Sequence, residues 1–147
     1  MERVVRRSIV TLLLLVAACH RGSTATSLTG RDTPRAAVQA FLDAVKAKDL
    51  QAMSEVWGNE KGPARDRMSR EDLEKRELLM QCYLTHDDAK ILGDVPGGNA
   101  RRVLTARLTR GRIQRDVPFE AVKGPANRWY VEKAALDRVQ DFCTNLR

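Results

Sequence analysis

The sequence predicts an α+β domain in which helices precede a meandering antiparallel sheet. Apolar residues recur at helical spacing in the first half of the chain, over residues 33–58 and 69–83. From residue 89 onward they alternate instead, in short segments separated by turns that contain Gly or Pro. Because helices and strands are segregated along the chain, we expect a curled sheet with the helices packed across its concave face, and not a βαβ fold.

Two helices are predicted at the start of the folded part. Thr33 is an N-cap residue, and Pro34 suits the first helical position because no N–H is needed there. Asp49 is the N-cap of a second, shorter helix, which Gly58 ends. The apolar faces of these two helices are formed by Val38, Phe41, Leu42, Val45, Leu50, Met53, Val56 and Trp57.

A third helix is predicted after a polar loop over residues 59–68. It begins at Ser69, in a pattern that resembles a capping box, and extends to Tyr83. Leu73 and Met80 are expected to share an apolar face with Tyr83. The solvated side of the helix is expected at Lys75, Arg76 and Glu77.

Four strands and a short final helix complete the prediction. The strands cover residues 89–95, 103–109, 113–121 and 128–132, and the turns between them lie at 96–99, 110–112 and 124–127. The final helix is indicated by apolar residues at helical spacing between Leu136 and Cys143.

The alternation also predicts which strand residues face the core. Leu104, Ala106 and Leu108 are expected to point inward, which places Arg107 in solvent. Arg115 shares its side of the next strand with apolar residues. It therefore either enters the interior, where it would bind an anion, or is turned outward by a bulge.

Two segments resemble NTF2-like domains. The run TPRAAVQAFLDAVKAKDL at residues 33–50, followed by Trp57, is similar to the opening helices of that superfamily, and NRWYV at 127–131 is similar to one of its late strands. The resemblance covers roughly residues 33–136 and is greatest to small secreted and lipoprotein members, of the cystatin-like type, with a domain of unknown function. It implies a cone of N-terminal helices on a curved antiparallel sheet, to which this chain adds the C-terminal helix.

The first residues of the chain resemble a bacterial lipoprotein signal. A basic start with Arg3, Arg6 and Arg7 precedes an apolar run over residues 9–18, which is too short to span a bilayer. The run closes with VAAC at residues 16–19, which resembles a lipobox ending at Cys19. The alternative is an uncleaved, buried helix with a core cysteine.

This second resemblance implies three segments: a signal peptide over residues 1–18, a lipidated flexible tether over 19–32, and the domain over 33–147. In lipoproteins of this type the cysteine becomes the first mature residue and carries a diacylglycerol, and two acyl chains suffice for stable anchoring. We therefore expect the mature protein in the cell envelope, on the periplasmic side of the outer or inner membrane.

The remaining cysteines and the charge restrict the classes of partner. With Cys19 assigned to lipid, Cys82 and Cys143 are an even pair in an oxidising compartment and hence candidates for a disulfide; two buried thiols are the alternative.

The basic residues behind the net charge of +7 are scattered among acidic residues, and the chain has few aromatic residues. Both features argue against binding of nucleic acid. No metal or cofactor is expected, because the sequence has two histidines and no metal-binding motif.

The candidate pocket residues are large or charged side chains that a cone would place in or near its interior, namely Trp57, Tyr83, Arg115 and Trp129. Core packing is the alternative for both tryptophans. Enzymes with NTF2-like folds place Asp, His or Tyr side chains inside the cone, and the candidates here are Tyr83, His86, Asp87 and Asp88. We interpret His86 as an exposed loop residue and the two aspartates as a turn or strand lead-in.

The hypothesis that we favour is a non-catalytic envelope lipoprotein that binds a small apolar or anionic ligand, or an envelope protein, through the cone or the sheet face. The alternative is a metal-independent pocket enzyme of the isomerase or dehydratase type, with an Asp or His base. An ionisable group in an open apolar cone would favour the enzyme, and a filled cone would favour a scaffold. Homodimerisation through the sheet is left open by the imperfect alternation.

Overall fold

Four helices and a curved four-stranded sheet make up most of the structure, as the sequence predicts. The computed structural model describes residues 28–144. Its helices are α1 (Pro34–Ala47), α2 (Leu50–Val56), α3 (Arg70–Leu84) and α4 (Gln140–Thr144). Its strands are β1 (Gly58–Asn59), β2 (Gly62–Pro63), β3 (Asp88–Gly98), β4 (Arg101–Arg110), β5 (Ile113–Lys123) and β6 (Trp129–Ala134). Strands β3 to β6 form an antiparallel meander in sequence order.

The predicted caps of the first three helices are confirmed. The Thr33 hydroxyl accepts a hydrogen bond from the N–H of Ala36 at 3.1 Å, and Asp49 accepts one from Ala52 at 2.9 Å. The Ser69 hydroxyl accepts from the N–H of Asp72 at 3.2 Å. Each cap satisfies a backbone donor that the first turn leaves unpaired, and thereby fixes where its helix begins.

The core lies between α1 and one face of the sheet. Leu104 on β4 stands opposite Phe119 on β5, and Ala106 stands opposite Val117; all four are fully buried. The ring of Phe119 meets that of Phe41 on α1 edge to face, with 6.4 Å between centroids. The predicted inward face of β4 is therefore confirmed, and large side chains fill the space between the sheet and its helix.

Two predicted boundaries are wrong because local geometry overrides composition. Residues 59–68, expected as a loop, contain the hairpin of β1 and β2 and a 3₁₀ turn over Ala64–Asp66. A side chain at Gly58 would lie 2.3 Å from the carbonyl oxygen of Gly62, so only glycine allows these two strands to approach. Strand β3 continues to Gly98 instead of ending at Val95, because register shifts along it absorb the Pro and Gly residues.

The end of the predicted tether is bound to the domain. The N–H of Gly30 donates to the carbonyl of Glu55 at 2.7 Å, and Arg31 and Trp129 exchange backbone hydrogen bonds. Thr29 and Tyr130 also pair through their hydroxyl groups at 2.9 Å. The folded domain therefore begins before Thr33, and this part of the prediction is corrected. Residues 1–18 and Cys19 lie outside the described residues.

The C-terminal segment is held against α3. A 3₁₀ turn over Leu136–Val139 leads into α4, and Val139 and Phe142 are buried in the core, as the predicted final helix requires. The sulfur atoms of Cys82 and Cys143 lie at disulfide-bonding distance, with their Cα atoms 5.0 Å apart. The pairing expected from the sequence is the one that the structure has.

Candidate functional site

A cleft between α2 and α3 is the most promising site in the described part of the chain. It has a volume of about 270 Å³. It is lined by Leu50, Gln51, Ser54, Arg70, Leu73, Glu74 and Glu77. The exposure of these residues defines its depth: Ser54 and Glu77 are each only 2% exposed and form the floor, whereas Arg70 and Glu74 are exposed at the rim. Leu50 and Leu73, both half-buried, provide apolar walls.

The sequence places Glu77 on the floor because of its position in α3. Leu73 precedes it by four residues, Met80 follows by three and Leu84 by seven, so that Glu77 lies in the middle of the apolar stripe of the helix. Leu84 is fully buried, and Leu73 and Met80 are partly buried. A carboxyl group therefore occupies the position where an amphipathic helix ordinarily carries an aliphatic residue.

The expectation that Glu77 belongs to the solvated side of the third helix is wrong. It followed residue type, because Lys75, Arg76 and Glu77 form a charged run, and the first two are indeed exposed. The spacing to Leu73 and Leu84 is the signal that identifies Glu77 as buried.

The Glu77 carboxyl is electrostatically destabilised. Its Oε1 is buried and has no hydrogen-bond partner among the described residues, and the same holds for Nε2 of Gln81 one turn further along α3. Burial, and after it the negative charge of Glu74, raises the pKa of Glu77 from 4.5 to about 7. Near neutral pH this group therefore exchanges between a carboxylate and a neutral acid, which is common at functional sites.

The four candidate pocket residues do not meet in one cavity. Trp57 lines a pocket of about 160 Å³ beside Glu132, and Arg115 lines a separate, shallow groove with Arg107 and Arg138. Tyr83 and Trp129 are half-buried and pack against the core. The ammonium group of Lys123 lies 5.9 Å from the Trp129 ring centroid, within reach of a cation–π contact.

Arg115 neither enters the interior nor is turned outward by a bulge, the two positions that the sequence left open. Strands β4 and β5 pair without a register shift, so no bulge turns Arg115 out, yet its side chain is 43% exposed. It lies beyond the buried part of its strand, and its Nη2 is 2.7 Å from a carboxylate oxygen of Asp141. Arg107 faces solvent as predicted and forms two hydrogen bonds, of 2.7 and 2.8 Å, to Asp116.

His86 is buried, and its interpretation as an exposed loop residue is wrong. It is 6% exposed, and its Nδ1 lies 2.7 Å from the carbonyl oxygen of Leu84. The chain turns directly onto the sheet after it, because the N–H of Asp87 donates to the carbonyl of Thr109. Asp87 also accepts a hydrogen bond from Gly111 at 2.6 Å, and Asp88 begins β3, which confirms the lead-in interpretation of both.

Within residues 28–144, no cluster of three or more His, Cys, Asp and Glu side chains is placed to hold a metal ion. None of the helices in this range is both long enough and apolar enough to cross a membrane. Comparison with protein-family models, with curated proteins and with solved structures yields no match to this chain.

Proposed function

We propose that this chain is a lipoprotein of the bacterial cell envelope, anchored through Cys19, whose NTF2-like domain is a non-catalytic module that binds a small ligand. The observation that carries the binding role is the cleft between α2 and α3, with the buried Glu77 carboxyl on its floor, whose Oε1 has no hydrogen-bond partner among the described residues. An unsatisfied polar group in an apolar setting costs free energy, which a complementary ligand would recover.

The proposed location outside the cytoplasm has support from two separated parts of the chain. The first is the resemblance of residues 1–19 to a lipoprotein signal. The second is the proximity of Cys82 and Cys143, which lie 61 positions apart in sequence and at bonding distance in space. Stable disulfides are typical of oxidising compartments outside the cytoplasm.

The NTF2-like assignment has support from the element order: three helices, then a curved antiparallel meander. In a fold of this type the ligand site is often the space between the helices and the sheet. Here Phe41, Leu42 and Phe119 are fully buried in that space. We therefore propose that the ligand occupies the α2–α3 cleft and not the interior.

The anchor is tested by intact mass spectrometry of the membrane fraction and by fractionation of variants. We expect a diacylglycerol-modified Cys19 at the mature N-terminus, and release of the Cys19→Ser protein from membranes. Cys82→Ser is the matched control, because it removes a cysteine of the domain and should leave the protein with the membranes. A Cys19→Ser protein that still fractionates with membranes would contradict the proposed anchoring.

A pocket enzyme of the isomerase type is the second candidate, and Glu77 is the observation in its favour. A carboxyl with a pKa of about 7 has the proton affinity that a general base needs at neutral pH. Base-catalysed isomerisation begins with removal of a proton next to a carbonyl group. Glu77-dependent incorporation of deuterium from solvent into cyclohexanone, followed by NMR, would support this candidate, whereas equal incorporation by the Glu77→Gln variant would exclude Glu77 as the base.

A further inference from the structure

We propose that the α2–α3 cleft binds a small organic cation, with an ammonium group of the ligand on the Glu77 carboxylate and its hydrocarbon part against Leu50 and Leu73. This inference rests on the proposed function, in which the cleft is the ligand site, and it specifies the chemical class of the ligand. It differs from the apolar or anionic ligand that the sequence led us to expect.

The carboxyl group on the floor of the cleft has one buried oxygen atom without a hydrogen-bond donor in the described part of the chain. Oε1 of Glu77 has no partner among residues 28–144. The Ser54 hydroxyl on the floor already donates to the carbonyl of Gln51 at 2.7 Å. The buried amide nitrogen of Gln81, one turn along α3, also lacks a partner among residues 28–144, but Gln81 does not line the cleft. An ammonium group carries three donors and no acceptor, so it satisfies the carboxylate without introducing a new unpaired acceptor.

The charges around the cleft favour a cation over an anion. Helix α2 presents the uncharged Gln51 and Ser54, whereas α3 presents Arg70, Glu74 and Glu77. Among the described residues that line the cleft, Arg70 is the single positive group. It is exposed at the rim, so its charge is more strongly screened by water than that of the buried Glu77. The repulsion between Glu74 and Glu77 contributes to the raised pKa of Glu77, and a bound cation would relieve it.

The size and the walls of the cleft restrict the ligand further. A volume of about 270 Å³ lies just below the roughly 300–1,000 Å³ of common small-molecule pockets. The half-buried Leu50 and Leu73 supply apolar contact on either side. A short alkyl or aryl ammonium ion fits both conditions, whereas a fully hydrated inorganic cation would leave the leucine walls without a partner.

Binding of a cation to this carboxyl is coupled to proton release. Below a pH of about 7 the group is largely a neutral acid, and the ammonium ion binds its ionised form. The carboxylic proton passes to solvent while the ligand keeps its own charge. Between pH 8 and pH 5 the ionised fraction falls from about nine-tenths to about one-hundredth, so we expect the affinity for a cation to weaken at least tenfold.

The test compares three probes of equal chain length on the full chain in a neutral detergent. These are n-butylammonium chloride, n-butanol and sodium butyrate, and binding is followed by the backbone amide NMR signals of Leu50, Gln51, Ser54 and Leu73. We expect n-butylammonium to bind at least tenfold more tightly than either other probe at pH 8. We also expect the Glu77→Gln variant to lose at least tenfold of that affinity.

Two further variants serve as controls, one for loss of folding and one for loss of a negative charge elsewhere on α3. Glu77→Leu keeps the apolar stripe of α3 intact and should abolish binding of n-butylammonium in a folded protein. Glu71→Gln removes an exposed carboxylate of the same helix and should leave the affinity unchanged.

Each contrary outcome has a distinct meaning. Equal or tighter binding of n-butanol or butyrate would overturn the cation assignment but retain the cleft as a ligand site. A Glu77→Gln variant that binds n-butylammonium as tightly as the unaltered chain would overturn the role of Glu77. Absence of shifts with all three probes would overturn the inference, whereas the proposed membrane anchoring is judged separately by the Cys19→Ser experiment.

Discussion

Replacement of Glu77 by Gln should change how stability depends on pH. In the folded protein the pKa of Glu77 is about 7, above the value of 4.5 for the free side chain. The folded state therefore binds more protons than the unfolded state between these values, and the free energy of unfolding falls as pH rises through this range. Each unit of difference between the folded and unfolded pKa values corresponds to about 1.36 kcal/mol. The free energy of unfolding therefore falls by about 3 kcal/mol in total.

Glutamine has nearly the shape of the protonated carboxyl but does not titrate. We therefore expect the Glu77→Gln protein and the unaltered protein to have similar stability at pH 4, where Glu77 is mostly protonated in both states. At pH 8 the variant should be the more stable of the two, by up to about 3 kcal/mol. The contributions of all other titrating groups are shared by the two proteins and cancel in the difference.

The assay is urea unfolding of both proteins at intervals between pH 4 and pH 9, followed by far-UV circular dichroism. Glu71→Gln is the matched control, because Glu71 lies in solvent on the same helix, where it pairs with Lys75. This control variant shows how much of any stability change comes only from the loss of one negative charge. A stability difference between Glu77→Gln and the unaltered protein that stays constant across this pH range would refute the assignment of Glu77 as a buried titrating group.

Three further predictions concern stability. Glu77→Leu should raise the free energy of unfolding by about 1–3 kcal/mol at pH 8, because it replaces an unpartnered carboxyl with an aliphatic side chain; a lower urea midpoint would contradict this. Cys82→Ser should cost about 4 kcal/mol, the chain-entropy value for a loop of about 60 residues, and the difference from the unaltered protein should vanish in a reducing agent. Phe119→Ala should cost about 3–5 kcal/mol by leaving a cavity against Phe41, and a loss below 1 kcal/mol in calorimetry would show that this space is not closely packed.

The elements that the sequence predicts best are those whose signal is local. Caps at Thr33, Asp49 and Ser69 are set by a side chain and the next turn of backbone, so the residue type alone locates them. The inward face of β4 follows from alternation, because one residue of displacement would move Leu104 to the solvent side. The extent of β3 depends instead on its register against β4, which its own residues do not encode.

The site was harder to predict for two physical reasons. Glu77 belongs to a residue type that is seldom buried, so composition assigns it to solvent, although its spacing from Leu73 and Leu84 places it inside. The cleft itself exists only because α2 and α3 pack at a distance that leaves a gap. That distance is a property of the whole core and is not carried by any one motif.

The most direct test of the binding proposal is an NMR titration of the carboxyl carbon of Glu77, in selectively labelled full-length protein, with and without saturating n-butylammonium. We predict a pKa of about 7 in the free protein, which the bound cation moves toward lower values because it stabilises the ionised carboxyl. A pKa near 4.5 in the free protein, or a pKa that the cation leaves unchanged, would contradict the assignment of Glu77 as the buried acid of a cation-binding cleft.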